Sequence, residues 1–142
     1  MVDVGYASFA TTVDKTNHVL ALIEEAYGWP KERRNQSYAA LRSVLHTLRD
    51  RLTVDQSAQF AAQLPMLIRG MYYEGWEPSR VPERMSGDEF LHRVREGFAY
   101  SVAGGIDPLV KTVLHALRHH VSESEWAKIT ASMPNDLVPV LS

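Results

Sequence analysis

The chain has 142 residues, of which 45% are hydrophobic and 23% are charged, and its formal net charge is -2. The length is that of one ordinary globular domain, and these values exclude a disordered chain and a globally basic nucleic-acid-binding protein. Cysteine is absent from the sequence, which excludes disulfide bonds and thiolate metal sites. The first twelve residues lack the basic and apolar regions of a signal peptide, and no apolar run is long enough to span a membrane. We therefore expect a cytoplasmic protein without a membrane segment.

Apolar residues recur at helical spacing along the chain, and no stretch alternates apolar and polar residues for long enough to predict a strand. Three capping boxes, at Thr53-x-x-Gln56, Ser86-x-x-Glu89 and Ser122-x-x-Glu125, indicate where helices begin. Pro139 is expected to end the last helix. The pattern predicts eight helices, at residues 14–27, 30–51, 53–62, 65–74, 87–100, 107–121, 123–132 and 134–138.

The two halves of the chain resemble each other. Residues 44–52 read VLHTLRDRL and residues 113–121 read VLHALRHHV, and the match continues to residues 72 and 141 at a constant offset of 69. Such self-similarity is typical of internal duplication. The sequence therefore predicts an all-α protein with two pseudo-equivalent four-helix units, residues 1–76 and 87–142. A linker at residues 77–86 joins them, and both pack as one compact domain.

Three motifs carry a family resemblance. They are L-R-x-V-L-H-x-L-R-x-x-L from Leu41 to Leu52, A-x-Q-L-P-x-x-I-R-G-x-Y-Y-E-G-W from Ala61 to Trp76, and D-E-F-L-x-R-V from Asp88 to Val94. Together they resemble a bacterial family catalogued as domain of unknown function 2267, from about residue 15 to the carboxyl terminus. The resemblance implies a small all-helical bacterial protein, and it brings no catalytic residue with it.

Histidines occupy one position of the repeat in both halves, His46 and His115. Each lies about 100° around its helix from the apolar stripe, on the boundary with solvent. One interpretation is a boundary histidine that bonds a neighbouring carbonyl or carboxylate. The other is a metal site, because His115 and His119 are four residues apart and share a helix face, with Glu123 extending the row.

Aromatic residues cluster after the fourth predicted helix, where Tyr72, Tyr73 and Trp76 stand within five residues. One interpretation is that Tyr72 packs inward while Tyr73 and Trp76 seal the linker against the second half. The alternative is an interaction patch formed by Tyr73 and Trp76 for a partner or an identical subunit.

The second predicted helix is locally basic, since residues 31–51 contain six basic and two acidic residues. Such a helix could face phosphates. It could equally be a solvated face whose arginines pair with acidic residues nearby, such as Glu24 and Glu25.

The sequence contains no catalytic motif and predicts no cofactor. Its leading functional prediction is a non-enzymatic protein-interaction module, with homodimerisation as one form of that function. An alternative is a metal- or small-ligand-binding protein that uses the cleft between the two units, with His115 and His119 as polar groups. A third hypothesis is weak nucleic-acid binding through the basic second helix.

Overall fold

The structure, a computed structural model, describes residues 6–141, without the side chain of Leu141. Residues 1–5 of the predicted first unit and residue 142 of the predicted second unit lie outside the described residues. Residues 1–5 are also part of the first twelve residues, for which no signal peptide is predicted. Regular structure within residues 6–141 is helical throughout, which confirms the all-α prediction. The helices are α1 (Ala7–Tyr27), α2 (Arg34–Arg51), α3 (Val54–Gln63), α4 (Met66–Tyr73), α5 (Gly87–Gly97), α6 (Ile106–Arg118), α7 (Glu123–Ser132) and α8 (Val138–Leu141).

Two central helices organise the core. Helix α2 contacts α1, α4, α5 and α6, and helix α6 also contacts α1, α5 and α8. The apolar stripes on α2 and α6 are fully buried, including Leu48 and Leu117. Helices α3 and α7 pack against each other outside this centre. The periodicity of the sequence therefore identified most of the core faces, but Tyr38 of α2 and Leu67 of α4, which follow the same periodicity, are 42% and 49% exposed.

Apart from the last helix, the ends of the predicted helices differ from the structure by three residues or more at four places, one of which is the end of α6 at Arg118 instead of residue 121. Helix α1 begins at Ala7 instead of residue 14. Its first turns are mostly exposed and show little apolar periodicity, so the sequence pattern did not predict them. Helix α5 ends at Gly97 instead of residue 100, and Phe98 follows in an extended conformation. The predicted long second helix has a separate 3₁₀ turn, Lys31–Arg33, before α2 begins.

The predicted end of the last helix at Pro139 is wrong. Residues 135–137 form a turn, and α8 begins only at Val138, so that Pro139 lies in its first turn. The N–H that proline lacks would have no helical partner in a first turn, so the residue is tolerated there.

Two of the three predicted capping boxes form completely, at Thr53 with Gln56 and at Ser86 with Glu89. In the third, the Ser122 hydroxyl accepts from the Glu125 backbone N–H at 3.2 Å. The Ser122 N–H donates to Gln63 Oε1 at 2.7 Å, in place of the Glu125 side chain that a complete capping box would use.

The segment between the halves is attached to the helices on both sides. It contains a 3₁₀ turn at Pro78–Arg80. The Glu83 N–H donates to the Asp50 carbonyl at 2.8 Å, and Arg93 of α5 forms ion pairs with both Asp50 and Glu83. The predicted linker is therefore tied to α2 and α5. Within the described residues, no helix is both long and apolar enough to cross a membrane.

Candidate functional site

An apolar groove lies between α6, α7 and the residues around α8. Its volume is about 660 Å³. Buried Leu114, Ile129 and Met133 form its apolar part, and half-buried Trp126 and Val138 contribute to its walls. The remaining described lining residues are His115, Arg118, Ala127, Thr130, Ala131 and Asn135. Grooves lined mainly by apolar groups, with a few polar groups at the edge, are the usual form of binding sites.

Cationic and imidazole side chains lie at the edge of this groove. The Arg118 guanidinium lies 5.7 Å from the centre of the Trp126 ring, within range of a cation–π contact. Arg118 also donates to Glu123 Oε2 at 2.9 Å, a bond that uses one of its five N–H donors. His115 is exposed beside it. The groove therefore combines an apolar floor with N–H donors at its rim.

His46, which corresponds to His115 at the sequence offset of 69, contacts the backbone of α4. Its Nε2–H donates to the Met71 carbonyl at 2.7 Å, near the end of α4. Burial lowers the pKa of His46. The hydrogen bond to Met71 acts to raise this pKa, and the charges of Arg49 and Arg42 act to lower it further. The interpretation of His46 as a boundary histidine bonded to a carbonyl is thus the one that the structure shows.

The aromatic segment at the end of α4 is only partly exposed. Tyr72 is fully buried, its hydroxyl is 2.8 Å from the Ser57 hydroxyl, and burial raises its pKa strongly. Tyr73 and Trp76 are half-buried and lie 5.2 Å apart between ring centres. The inward packing predicted for Tyr72 is correct, and the interaction patch at Tyr73 and Trp76 stays a prediction.

A second, polar cleft lies where the start of α1 meets the α3–α4 connection and the residues after α6. Its volume is also about 660 Å³. Lys15, Arg69, His119 and His120 line it together with several hydroxyl and amide groups, and its described lining contains no carboxylate. Arg69 donates to three backbone carbonyls around the end of α3, those of Ala61, Ala62 and Leu64.

Three histidines meet near this cleft. The ring centre of His18 lies 5.9 Å from that of His119 and 6.1 Å from that of His120. Burial, followed by the charges of His18, Lys15 and His119, lowers the pKa of His120. Its Nε2 atom is buried without a hydrogen-bond partner among the described residues. Sequence spacing could not place α1 beside residues 119 and 120, so this cluster was not foreseen.

The predicted metal ligands, His115 and His119, are both exposed. They share an open surface depression with Arg118 and Glu123. Among the described residues, no group of three or more His, Asp or Glu side chains is arranged to hold a metal ion.

The basic face of α2 is occupied largely by ion pairs and backbone contacts. Arg34 forms a two-nitrogen contact with Glu24, at 3.0 Å for each bond, and Arg42 bonds Glu74 at 2.8 Å. Arg49 is buried and donates to Asp50 and to backbone carbonyls. This arrangement matches the alternative in which the arginines pair with neighbouring acidic residues.

Glu24 is the buried member of the first of these ion pairs. Burial acts to raise its pKa, but the hydrogen bonds from Arg34 and Ser37 and the charge of Arg34 outweigh it, so the pKa of Glu24 is lowered. The carboxylate therefore stays ionised in the folded protein at neutral pH.

Trp126 is one of the groove residues that the sequence patterns did not indicate. The signal was present, because position 126 aligns with Ser57 at the offset of 69, and a small buried residue is thus replaced by a large aromatic one.

Comparison with known proteins identifies a family but no activity. No curated protein matches the chain. A family model described as "Uncharacterized conserved protein (DUF2267)" matches residues 16–140, which is nearly the whole chain. The family predicted from the three sequence motifs is therefore confirmed, and the chain belongs to the DUF2267 family.

Proposed function

We propose that this protein is a non-enzymatic protein-interaction module that binds an apolar segment of its partner in the groove between α6 and α7. The observation that supports this function most directly is the groove itself, with apolar walls and with His115 and Arg118 at its edge. Burial of apolar surface is the main driving force for such association, and aromatic and arginine side chains are enriched where it is strongest. Trp126 and Arg118 supply both kinds of residue.

The same proposal includes an internal duplication, with units at residues 1–76 and 87–142 and a linker at 77–86. Its support comes from matched contacts. Helices α3 and α7 each have ten residues and begin 69 positions apart. Gln63 at the end of α3 bonds Ser122 at the start of α7, and Gln56 near the start of α3 bonds Ser132 at the end of α7. Each contact joins the end of one helix to the start of the other, as an approximate twofold axis would predict, although the two contacts do not involve corresponding residue pairs.

The central helices support the same axis. Helix α1 packs on α6, and the corresponding pair in the exchanged arrangement, α5 on α2, also forms. Within the units, α2 packs on α4 as α6 packs on α8. A duplicated module of this kind has two related faces, and the groove described above lies on the face of the second unit.

The groove can be tested by filling it. Ala131 lies exposed in its lining, so Ala131→Trp should block the groove without disturbing the core. The matched control is Ala58→Trp, which places the same side chain on an exposed position of α3. A partner is first isolated from the native host, identified by mass spectrometry and purified, and its affinity for each variant is then measured by calorimetry.

We expect Ala131→Trp to weaken binding at least tenfold and Ala58→Trp to leave it unchanged. If the purified partner binds both variants equally, the groove is not the interaction site. If the partner is a second copy of this chain, light scattering will show a dimer that Ala131→Trp dissociates.

A second candidate function, small-anion binding, is supported by the polar cleft that Lys15, Arg69, His119 and His120 line without a carboxylate. Such a lining would attract a phosphate or carboxylate group. We expect inorganic phosphate to raise the melting temperature of the wild-type protein and not that of Lys15→Ala, with Lys31→Ala as the control. An equal response of the two variants would reject the cleft as the binding site.

The ligand-binding alternative also includes a metal site, with His115 and His119 as ligands. We expect zinc to stabilise the wild-type protein and to have no effect on His119→Ala. Equal melting temperatures of the wild-type protein with and without zinc would exclude this form.

A further inference from the structure

Four large apolar side chains are exposed near the amino-terminal ends of α1 and α4. This apolar cluster consists of Tyr6, Phe9, Met66 and Leu67, which are between 49% and 65% exposed. The other exposed large apolar side chains among the described residues are Tyr38, Val54 and Tyr100. Those three belong to separate parts of the chain, so exposed apolar groups are concentrated at the ends of α1 and α4.

A hydrogen bond joins the two helix ends that carry the apolar cluster. The Leu67 N–H donates to the Thr12 hydroxyl at 2.9 Å. Phe9 lies three residues before Thr12 and therefore on the same face of α1, and the ring centre of Tyr6 is 5.4 Å from that of Phe9. Both Thr12 and Met66 line the polar cleft described above. The apolar cluster thus borders that cleft.

Two cationic side chains of the cleft have no acidic partner. Within the described part of the chain, neither Lys15 nor Arg69 forms an ion pair. The bonds from Arg69 to three backbone carbonyls use its Nε and Nη2 atoms and not Nη1. Because a carbonyl group has no net charge, Arg69 is held in place with its positive charge uncompensated and with N–H donors left over.

Acidic residues are absent from the segments that form this surface. Residues 6–13 and 56–73 contain no Asp or Glu. Asp14 follows the first segment and does not line the cleft, and Glu74 follows the second and pairs with Arg42. The surface around the cleft is therefore locally positive, although the net charge of the chain is -2.

Charge and shape together indicate the kind of partner that this surface fits. A twofold dimer would place the same patch on both subunits and bring Lys15 and Arg69 towards their copies, so like charges would repel. The apolar cluster also protrudes, because every residue from Tyr6 to Phe9 is exposed. Protruding apolar groups can enter a fluid lipid interface, whereas an amphipathic protein segment is usually bound in an apolar groove.

We infer that this surface docks on a membrane that contains anionic phospholipids, with phosphate groups at Lys15 and Arg69 and the apolar cluster in the lipid interface. The inference rests on the second candidate function, anion binding in the polar cleft, and specifies the source of the anion. Surfaces of this kind bind reversibly through apolar burial and attraction to anionic headgroups, and they need no membrane-spanning helix.

Sedimentation of the whole protein with lipid vesicles measures this binding. One set of vesicles contains phosphatidylcholine alone, and the other contains equal parts of phosphatidylcholine and phosphatidylglycerol. We expect binding to the mixed vesicles and little binding to phosphatidylcholine alone, because only the mixed vesicles carry net negative charge. Sodium chloride should weaken the binding, since salt screens exposed charges.

Serine substitutions test the apolar cluster. Phe9→Ser and Met66→Ser should each weaken binding to the mixed vesicles at least about fivefold, because less apolar surface then enters the interface. Tyr38→Ser is the control for Phe9→Ser, since Tyr38 is an exposed aromatic residue of α2. Val54→Ser is the control for Met66→Ser, since each residue is the first of its helix. Both controls should bind as the wild-type protein does.

Alanine substitutions test the cationic part of the surface. Lys15→Ala should weaken binding about fivefold, the effect of one basic residue near an anionic bilayer, and Lys31→Ala should have no effect. Both lysines are exposed, so the fold should be retained, and circular dichroism checks this. Ala131→Trp should leave vesicle binding intact, because it alters only the groove between α6 and α7.

The outcomes separate this inference from the anion-binding candidate. If the protein does not bind the mixed vesicles, or if Phe9→Ser and Met66→Ser bind as tightly as the wild-type protein, the inference is wrong. A rise in melting temperature with inorganic phosphate that Lys15→Ala removes would then still support anion binding in the cleft. If vesicles and phosphate both have no effect, both proposals are rejected. A dimer in solution that Phe9→Ser dissociates would also overturn the inference, because a second copy would then cover the surface.

Discussion

Gln63 and Ser122 join the two halves of the chain through a pair of hydrogen bonds. The Ser122 N–H donates to Gln63 Oε1 at 2.7 Å, and Gln63 Nε2 donates to the Ser122 hydroxyl at 3.3 Å. Ser122 is the N-cap of α7, so the carboxyl end of α3 supplies an acceptor that usually comes from within the capped helix itself.

Removal of this contact should destabilise the packing of α3 against α7. We expect Gln63→Ala to lower the free energy of unfolding by about 1 kcal/mol, because the Ser122 N–H then depends on water alone. Gln59→Ala, exposed on the same helix, is the control and should change stability by less than about 0.5 kcal/mol. Urea denaturation at neutral pH provides both values, and equal values for the two variants would show that the contact contributes nothing.

This contact also shows where prediction from sequence stops. The capping box at Ser122 and Glu125 was predicted from spacing alone, and half of it is present. The other half is supplied by Gln63, 59 positions away in sequence. Local spacing reports bonds within one turn of helix, whereas a partner from another helix depends on tertiary packing.

The same distinction applies to the fold as a whole. Helix type and core faces followed from periodicity, because burial of an apolar stripe requires it. The first turns of α1 were missed since they are exposed, and exposed residues have no periodic constraint. The position of Pro139 was misjudged because proline both ends helices and begins them, and only the neighbouring turn decides between the two.

Only part of the candidate groove could be predicted from the sequence. At the offset of 69, His115 and Arg118 correspond to His46 and Arg49 in sequence, and the structure places His115 and Arg118 at the edge of the groove. The sequence did not show that the end of α4 contacts His46 and Arg49, since that depends on how α4 packs against α2. The meeting of His18 with His119 and His120 was likewise a consequence of tertiary packing.

The buried leucines of the two central helices should dominate stability. We expect Leu48→Ala and Leu117→Ala each to lower the free energy of unfolding by about 2–5 kcal/mol, because both side chains are fully buried and the cavity would not refill. His46→Ala should cost about 0.5–1.5 kcal/mol, the value for one hydrogen bond. Chemical denaturation of the three variants tests this order. A cost for His46→Ala as large as that for Leu48→Ala would refute the assignment of His46 to the boundary.

Glu24 should stabilise the contact between α1 and α2. Its carboxylate accepts from Arg34 and from the buried Ser37 hydroxyl. We expect Glu24→Ala to cost about 1–3 kcal/mol, because Arg34 then loses its buried carboxylate partner and Ser37 keeps only the Arg34 carbonyl as acceptor. Glu25→Ala is the matched control, since Glu25 is exposed one residue further along α1. Thermal denaturation of both variants measures the two effects. If the stability of Glu24→Ala equals that of the wild-type protein, the proposed stabilisation is wrong.

The histidines His46 and His120 should make stability depend on pH near neutrality. The pKa of each is lowered below 6.5 in the folded protein, in both cases chiefly by burial. Between 6.5 and the lower folded value, the unfolded chain binds protons that the folded protein does not, so stability falls as pH decreases through this window. Above pH 6.5 both states are largely unprotonated at these residues, and their contribution to the pH dependence disappears.

Urea denaturation at pH 7.5 and pH 5.5 measures this effect. The Glu24 carboxyl does not contribute, since its lowered pKa places its titration below 4.5. We expect the wild-type protein to be less stable at pH 5.5, and His46→Gln and His120→Gln each to reduce the difference between the two pH values. His115→Gln, at an exposed position of α6, is the control and should retain the full difference. If His120→Gln retains it as well, the packing of His120 beside His18 and Lys15 does not disfavour its charged form, and the electrostatic description of this cluster is wrong.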